Sequence, residues 1–286
     1  MKRTVLASSL SLSLFLLFFC GVFRHDINES VFLKLANEKQ FDCVGRSIEN
    51  GQTNGTGILI TPNYVLSAGH ILLTSNQLFT KKKKLSNVDP ADFQFEFNGK
   101  KYKAKRIIVH PDLIQKGIAT GIDLMLVELV ENVDDVVPAI LSQNLNELHS
   151  EVTGVGFGIS GIVKSNGVMQ KGEYGKKTAG KNIVDELSGT KLNNQSTLMA
   201  FDFDSPTNPS VNKMGDAKPL DIEYTPTGGD SGGGLFRQRN NKWELIGILH
   251  SLDADMENFR KNGYYGEVSR WTRVSLFVDW IEREMK

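Results

Sequence analysis

The chain has little cysteine, no net charge and no long apolar run. Its 286 residues contain two cysteines, Cys20 and Cys43, which excludes the dense disulfide framework of small secreted domains. A domain of this size can be stabilised by its hydrophobic core, so we predict that Cys43 packs in a strand as a free thiol. The 33 basic residues balance the 33 acidic residues, so charge predicts neither a nucleic-acid nor a membrane partner.

The apolar run near the N-terminus, about residues 10–19, follows two basic residues. A basic start followed by an apolar stretch shorter than a membrane span predicts a signal peptide over residues 1–21, and hence a secreted (extracellular or periplasmic) protein. Residues 17–20, with the sequence LFFC, precede Gly21 and form a weak lipidation motif, because Phe19 stands where a small residue is favoured. Lipidation of Cys20 is therefore an alternative, and membrane contact is predicted only in that case.

Glycine, by contrast, is abundant around one serine. The segment Thr225–Phe236 reads TPTGGDSGGGLF and places Ser231 among five glycines before an apolar strand. Glycine permits unusual backbone angles and close approach of other segments, so we predict an exposed Ser231 hydroxyl on a turn. The backbone N–H groups of Gly229 and Ser231 then point at one small volume, the geometry of a nucleophile beside an oxyanion hole. A flexible glycine-serine loop is the alternative interpretation.

Two further segments supply a base and a carboxylate. Residues 55–70 predict two strands joined by a turn, followed by His70 in a corner of small residues. Asp123 directly precedes the apolar run LMLVEL, and a buried carboxylate in that position requires a partner. An imidazole N–H is a suitable partner, so His70, Asp123 and Ser231 are the candidate catalytic residues.

These segments resemble the motifs of the trypsin-like (chymotrypsin-fold) serine peptidases. SAGH stands where the family has TAAH, DLMLVEL where it has D-I-A-L-L-x-L, and GGDSGGG where it has GDSGGP. The order His70, Asp123, Ser231 is that of the family, and the resemblance covers about residues 31–286. It implies a secreted bacterial-type serine endopeptidase with Ser231 as nucleophile, His70 as general base and Asp123 as its orienting group.

The resemblance also predicts the substrates, cofactors and partners of the protein. Protein or peptide substrates are expected, with no cofactor, no metal and no nucleic-acid partner, and the protein is expected to be a monomer. The alternative function is that of a catalytically weak or inactive binding protein, a pseudoprotease on the same fold.

Short apolar runs separated by Gly, Asn, Ser and Lys predict an all-β architecture. By resemblance we expect two antiparallel six-stranded β-barrels and a C-terminal helix within a peptidase domain of residues 22–286. The first barrel is expected over about 31–145, the second over about 146–270 and the helix over about 275–286. Residues 80–92 and 159–194 are predicted to be loop insertions. The predicted strands include 57–60, 64–66, 93–97, 106–109, 124–129, 152–157, 198–203 and 245–249.

The resemblance assigns a supporting role to Asp230, next to the candidate nucleophile. In the family this carboxylate pairs with a positive group inside the protein and so shapes the oxyanion loop. Two partners are open here: the α-amine of a chain that begins near Val22, and the side chain of Arg24.

The primary substrate pocket is also assigned by resemblance. Thr225 is placed at its floor, and His250 and Ser269 are placed close to its wall. A basic substrate side chain needs a buried carboxylate to offset its desolvation, and none is evident at Thr225. We therefore predict no preference for Lys or Arg before the scissile bond, while apolar, small and acidic side chains stay open.

Overall fold

Antiparallel β-strands are the main element of this chain, as the short apolar runs predict. A computed structural model describes residues 20–72, 89–164, 169–253 and 263–286. The strands of these residues are β1 (Cys20–Phe23), β2 (Val44–Glu49), β3 (Gln52–Thr61), β4 (Tyr64–Ser67), β5 (Phe93–Phe97), β6 (Lys100–Val109), β7 (Met125–Leu129), β8 (Ile140–Leu141), β9 (Glu151–Gly156), β10 (Ile159–Val163), β11 (Met169–Tyr174), β12 (Thr178–Ile183), β13 (Glu186–Leu192), β14 (Gln195–Phe201), β15 (Tyr224–Thr225), β16 (Gly234–Arg239), β17 (Lys242–Leu252) and β18 (Ser269–Arg273).

Three short α-helices accompany the strands in the described residues. They are α1 (Glu29–Ala36), α2 (Pro111–Lys116) and α3 (Val278–Glu284). The last is the predicted C-terminal helix, and it buries Val278, Trp280 and Ile281 on one face. None of the helices in the described residues is long and apolar enough to cross a membrane.

The first half of the chain forms a closed barrel in the order β2-β3-β4-β7-β6-β5. The sequence of β5, FQFEF, alternates aromatic and polar residues, so Phe93, Phe95 and Phe97 point into the barrel and are buried. Inside the barrel β4 pairs antiparallel with β7, and Ser67 lies opposite Met125. The end of β4 and the start of β7 therefore meet at one rim.

The second half contains two sheets. The larger has eight strands along the path β12-β9-β16-β17-β18-β14-β13, with β8 paired to β17, and the smaller has the order β11-β10-β1-β15. The all-β class, the chymotrypsin-like arrangement and the terminal helix are confirmed. The second unit is more extended than a six-stranded ring, because strands from the predicted insertion lengthen its sheets.

That insertion, residues 159–194, was predicted to be a loop, and this prediction is wrong. It holds β10, β11, β12 and β13. Glycine, lysine and asparagine are poor strand formers by themselves, but β12 pairs residue by residue with β9. Tertiary pairing thus overrides the local composition. Of the other predicted insertion, residues 80–88 lie outside the described residues, and 90–92 form a 3-10 turn.

The N-terminal strand β1 is part of the folded body. It runs parallel to β10 and antiparallel to β15, and both Val22 and Phe23 are fully buried. The predicted signal peptide, residues 1–21, overlaps this strand at its last two positions, and residues 1–19 lie outside the described part. The leader therefore stays a prediction.

Cys43 is buried beside β2, and its thiol donates a hydrogen bond to the Gln40 carbonyl at 3.5 Å. Burial raises the pKa of this thiol to about 12. Cys43 is thus a buried free thiol, as predicted, but it lies in the turn directly before β2 and not in a strand.

Candidate active site

The rim of the first barrel brings a histidine and an aspartate together. His70 lies in the 3-10 turn that directly follows β4, and Asp123 lies two residues before β7. Because β4 and β7 are neighbours with Ser67 opposite Met125, the residues just beyond these ends come into contact. The His70 backbone N–H donates to Asp123 Oδ1 at 2.9 Å, which fixes the carboxylate against the turn.

Three side chains form one hydrogen-bonded chain across the two halves. His70 Nδ1 lies 2.5 Å from Asp123 Oδ2, and His70 Nε2 lies 2.7 Å from Ser231 Oγ. Asp123 has no exposed surface, whereas His70 and Ser231 are partly exposed. The buried carboxylate requires Nδ1 to carry a proton, so the neutral imidazole presents Nε2 as an acceptor to the Ser231 hydroxyl.

The aspartate and the imidazole shift each other's pKa in opposite directions. Burial lowers the pKa of His70, but the charge and the hydrogen bond of Asp123 raise it, and the net direction is upward. Burial raises the pKa of Asp123, but the charge and the hydrogen bond of His70 lower it, and the net direction is downward. The pair therefore favours an ionised Asp123 beside an imidazole that can accept a proton.

The Ser231 turn depends on glycine at two positions. Gly229 has φ of 97° and Gly232 has φ of 83°, in the region that favours glycine. A Cβ at Gly232 would also collide with Ser67 Oγ and the Thr56 carbonyl. The turn is anchored on the first barrel, since Thr56 N–H donates to the Ser231 carbonyl at 2.8 Å.

Two backbone donors are free beside the serine hydroxyl. Within the part of the chain that the structure describes, the N–H groups of Gly229 and Ser231 donate no hydrogen bond, while the neighbouring Asp230 N–H donates to the Thr227 carbonyl at 3.1 Å. Free N–H groups on one turn are suited to bind a developing oxyanion.

Asp230 supports this turn through backbone amides. Its carboxylate accepts from Gly158 N–H at 2.6 Å and from Thr227 N–H at 2.8 Å. Burial raises the pKa of Asp230 to about 6, against the effect of these bonds. Among the described residues no cationic side chain contacts this carboxylate. Arg24, one of the two predicted partners, instead binds Asp26 and the Leu220 carbonyl, so that alternative is wrong.

Comparison with known families agrees with this geometry. A family model described as Trypsin matches residues 34–281, a range that includes His70, Asp123 and Ser231. The chain belongs to the trypsin family. The resemblance to the trypsin-like serine peptidases is thereby confirmed, and serine-type peptidase is the general class. The bacterial type of the chain stays a prediction.

The residues predicted to form the substrate pocket of this trypsin-family chain are all buried, and they differ in the hydrogen bonds that they form. The Ser269 hydroxyl accepts a hydrogen bond from Trp271 Nε1 at 3.1 Å. His250 Nε2 donates to the Ile118 carbonyl at 2.9 Å, and its Nδ1 lies 2.8 Å from Ser251 Oγ. Both His250 nitrogens are thus engaged, and an acidic substrate side chain would have to displace one of these bonds.

The sequence did not predict that His250 lies close to Asp123. It lies near enough to Asp123 for the two groups to interact electrostatically, which favours the ionised form of that carboxyl. Burial lowers the pKa of His250 itself, while the charge of Asp123 opposes this shift. A neutral His250 with its proton on Nε2 fits the Ile118 carbonyl, so the residue connects the second half to the segment before Asp123.

The structure places a carboxylate where the sequence analysis found none. Thr225 Oγ1 donates to Glu267 Oε2 at 3.4 Å, and Glu267 is fully buried. The sequence feature that could have pointed to Glu267 is the single acidic residue within the run YYGEVSRW. A single acidic residue beside apolar residues also pointed to Asp123. A carboxylate therefore lies next to Thr225, whereas the sequence showed none there, and the assignment of Thr225 to the pocket floor stays a prediction.

Among the described residues, no group of three or more His, Cys, Asp or Glu side chains is arranged to hold a metal ion. The chemistry available at the site is that of a hydroxyl, an imidazole, a carboxylate and backbone N–H groups.

Proposed function

We propose that this chain is a secreted serine endopeptidase that hydrolyses peptide bonds with Ser231 as nucleophile, His70 as general base and Asp123 as orienting group. The observation that carries this proposal is the distance of 2.7 Å between His70 Nε2 and Ser231 Oγ, with Asp123 bound to the other ring nitrogen. A serine hydroxyl is a weak nucleophile at neutral pH, and an acceptor in direct contact with it supplies the missing activation.

In the first step the Ser231 hydroxyl transfers its proton to His70 Nε2 while Oγ forms a bond to the scissile carbonyl carbon. The imidazolium that results is stabilised by the Asp123 carboxylate, which holds Nδ1 at 2.5 Å. The carbonyl π electrons move to oxygen, and the N–H groups of Gly229 and Ser231 are the proposed donors to this oxyanion.

In the second step His70 returns the proton to the leaving amine nitrogen, the carbon–nitrogen bond breaks, and an acyl ester remains on Ser231 Oγ. A water molecule then attacks the ester carbon while His70 Nε2 takes the water proton. Collapse of this second tetrahedral species releases the carboxylic acid product, and the proton on His70 restores the Ser231 hydroxyl. Each proton removed is returned, so no other co-reactant is needed.

The decisive test is Ser231→Ala compared with Ser30→Ala, which changes an exposed serine in α1. We expect Ser231→Ala to abolish hydrolysis of a casein substrate and covalent labelling by a fluorophosphonate probe, because both need the activated hydroxyl. Ser30→Ala should keep both at the wild-type level. Equal labelling of the Ser231→Ala variant and the wild type would refute the assignment of the nucleophile.

The same experiment separates the alternative function. A pseudoprotease would bind peptides, but its wild-type form would neither hydrolyse casein nor take up the probe. Labelling at a stoichiometry near one per chain, with hydrolysis, supports the enzyme and excludes a pseudoprotease.

Secretion and the start of the mature chain form a second part of the proposal. Because Val22 and Phe23 are buried in β1, processing after Phe23 would remove a strand from the smaller sheet. We therefore expect the mature chain to begin at or before Val22, without an acyl group on Cys20. N-terminal sequencing and intact mass of the exported protein test both points, and an acylated Cys20 would instead establish a lipid-anchored peptidase. Sedimentation of the same sample tests the predicted monomer.

A further inference from the structure

A cavity in the second half of the molecule, called the acidic cavity here, is lined by none of the candidate catalytic residues His70, Asp123 and Ser231. Its volume is about 500 Å³, and its lining includes Asp185, Asp204, Asp216, Glu223, His149 and Lys218. Small-molecule sites in proteins have volumes of about 300–1,000 Å³. The acidic cavity is therefore large enough for a ligand of its own.

The lining residues differ in exposure, which distinguishes an entrance from an inner end. Asp216 and Lys218 are exposed, Asp185 is half-buried, and Asp204 and Glu223 are buried. The two exposed residues belong to the segment that connects β14 to β15. A ligand would therefore enter past this segment and meet Asp204 further inside.

The Asp204 carboxylate at the inner end lacks hydrogen-bond donors. Asp204 keeps only 7 % of its surface exposed, and its Oδ1 is buried and has no hydrogen-bond partner. Burial and the like charges of Asp202, Asp185 and Asp216 raise the pKa of Asp204 to about 7. A buried carboxylate oxygen that has lost water and gained no donor is costly. A cationic ligand in the cavity would remove this cost.

The fold does not neutralise the other carboxylates of the acidic cavity either. Lys218 is part of the lining, but within the described ranges its ammonium group forms no ion pair, and neither do the carboxylates of Asp185 and Asp216. By contrast, the buried Glu147 carboxylate in the same half lies 2.6 Å from the Arg273 guanidinium. The acidic cavity thus keeps an excess of unpaired negative groups.

The arrangement of these groups decides which kind of cation fits. Among the described residues, no three His, Cys, Asp or Glu side chains are placed to hold a metal ion. A calcium ion needs six to eight oxygens at about 2.3–2.6 Å from one point, whereas a chain of ammonium groups can contact carboxylates that are spaced apart. Carboxylates spread along a cavity therefore favour a linear organic cation.

We propose that the acidic cavity binds a linear polyamine, with one ammonium group at Asp204 and another nearer the entrance, at Asp185 or Asp216. This inference goes beyond the proposed peptidase function and does not depend on it. Hydrogen bonds between ammonium and carboxylate groups are stronger than those between neutral groups. The methylene chain between the ammonium groups would lie against Pro219 and Leu220, which also line the cavity.

The test is isothermal titration calorimetry in about 0.15 M salt, which screens exposed charges. All chains carry Ser231→Ala to prevent self-digestion. Spermidine, a trication, should bind this parent chain at one site, and octane-1,8-diol, a neutral chain of equal length, should not bind. Asp204→Asn should weaken spermidine binding by at least about 10-fold, because a charge-assisted bond is lost. Asp134→Asn removes an equal charge from an exposed first-half position and should leave binding unchanged.

Three results of this titration overturn the inference: no binding of spermidine, equal binding of octane-1,8-diol, or an Asp204→Asn variant that binds spermidine like the parent. Calcium chloride is titrated in parallel. Calcium that binds more tightly than spermidine, and that Asp204→Asn prevents from binding, would assign the cavity to a metal ion and overturn the polyamine. Peptidase activity is measured separately on chains that keep Ser231, so the failure of one proposal is distinguishable from the failure of the other.

A measurement on the parent chain alone covers the case in which Asp204→Asn fails to fold. The charged and titratable groups around Asp204 are Asp185, Asp202, Asp216, Glu223, His149 and Lys218. The pKa values of Asp204 and Asp185 are raised to about 7 and about 6, so both carboxyls are largely protonated at pH 5. Because a bound cation favours the ionised form, spermidine should bind at least about 10-fold more tightly at pH 7.5 than at pH 5. Equal affinity at the two pH values contradicts binding at these carboxylates.

Discussion

Buried carboxylates around the candidate site have different partners in the two halves of the molecule. In the first half, Asp123 faces an imidazole, and the charge and hydrogen bond of His70 lower its pKa despite complete burial. In the second half, Asp230 faces mainly backbone N–H groups, and Glu267 faces the Gly263 N–H and the Thr225 hydroxyl. Burial raises the pKa values of these two carboxyls to about 6 and about 8. Equal burial therefore gives opposite shifts, and the charge of the partner decides the sign.

The difference matches what each half contributes to the proposed reaction. The first half supplies a proton acceptor, which needs a permanently ionised Asp123 behind the imidazole. The second half supplies shape and donors around Ser231, and its Asp230 carboxylate accepts from the backbone amides of Gly158 and Thr227. Amide donors hold a loop in place, but they carry less charge than an imidazolium or a guanidinium.

The acidic cavity in the second half is lined by further carboxyl groups whose pKa values are raised. Its volume is about 500 Å³, and its lining includes Asp185, Asp204, Asp216 and Glu223. Burial and the neighbouring acidic charges raise the pKa of Asp204 to about 7 and that of Asp185 to about 6. The like charges around the cavity therefore disfavour ionisation of Asp204 and Asp185.

The largest effect is expected when the first-half pair is broken without a change of shape. Asp123→Asn should lower kcat by about 10⁴-fold, because the amide no longer fixes the imidazole tautomer or stabilises its charged form. KM should change little, since substrate contacts are kept. Steady-state kinetics with circular dichroism test this result.

The matched control for that change is Asp112→Asn. Asp112 is a first-half aspartate whose partner is Lys116, 3.0 Å away at the surface. Loss of an exposed pair costs at most about 1 kcal/mol of stability and should not change kcat. If Asp123→Asn keeps more than about a tenth of the wild-type kcat, Asp123 does not have the role proposed from its contact with His70.

A smaller effect is expected from the second-half carboxylate beside the nucleophile. In Asp230→Asn, an amide NH₂ faces the N–H of Gly158 or Thr227, so the oxyanion turn loses one of its two supports. We expect kcat to fall by about 10- to 100-fold, somewhat less than the loss of a full oxyanion donor, with KM changed less than kcat.

Arg24→Met is the comparison variant for this prediction, because the sequence left Arg24 open as the cationic partner of Asp230. Its guanidinium binds Asp26 and the Leu220 carbonyl, so its loss should leave kcat unchanged. A fall in kcat as large as that of Asp230→Asn would show that the two side chains act together after all.

The smallest effect concerns stability and the acidic cavity. The pKa of Asp204 is raised in the folded protein to about 7, so its stabilising effect is complete below its unfolded value near 4 and is lost as the pH rises through about 7. The unfolding free energy should therefore fall between pH 5 and pH 8. Asp204→Asn cannot titrate and should reduce this fall by about 2 kcal/mol.

Urea unfolding at pH 5, 6, 7 and 8 measures this difference, with Ser231→Ala as the background to prevent self-digestion. Asp134→Asn, which changes an exposed first-half aspartate, is the control and should keep the wild-type slope. A pH dependence that Asp204→Asn leaves unaltered would place the bound protons elsewhere in the molecule.

Local pattern explains why so much of the fold was predictable. The apolar runs at 57–60, 93–97 and 245–249 all lie within strands, namely β3, β5 and β17, because alternating or continuous apolar residues are stable only when a sheet buries them. Residues 159–194 were mispredicted because their polar and glycine-rich strands depend on neighbours. In β13, for example, most side chains are exposed or half-buried, so the sequence carries little trace of the pairing with β14.

The sequence by itself determined the three candidate catalytic residues, since each stands in a local context that has few structural explanations. A serine among glycines, a histidine after a strand and an acidic residue before an apolar run are all visible within about ten residues. Tertiary structure alone decided the environment of the site. The bond between Thr225 and Glu267 spans 42 residues, and that between His250 and Ile118 spans 132. Contacts over such separations exist only after the strands have paired, because only sheet register determines which buried polar atoms meet and which stay unpartnered.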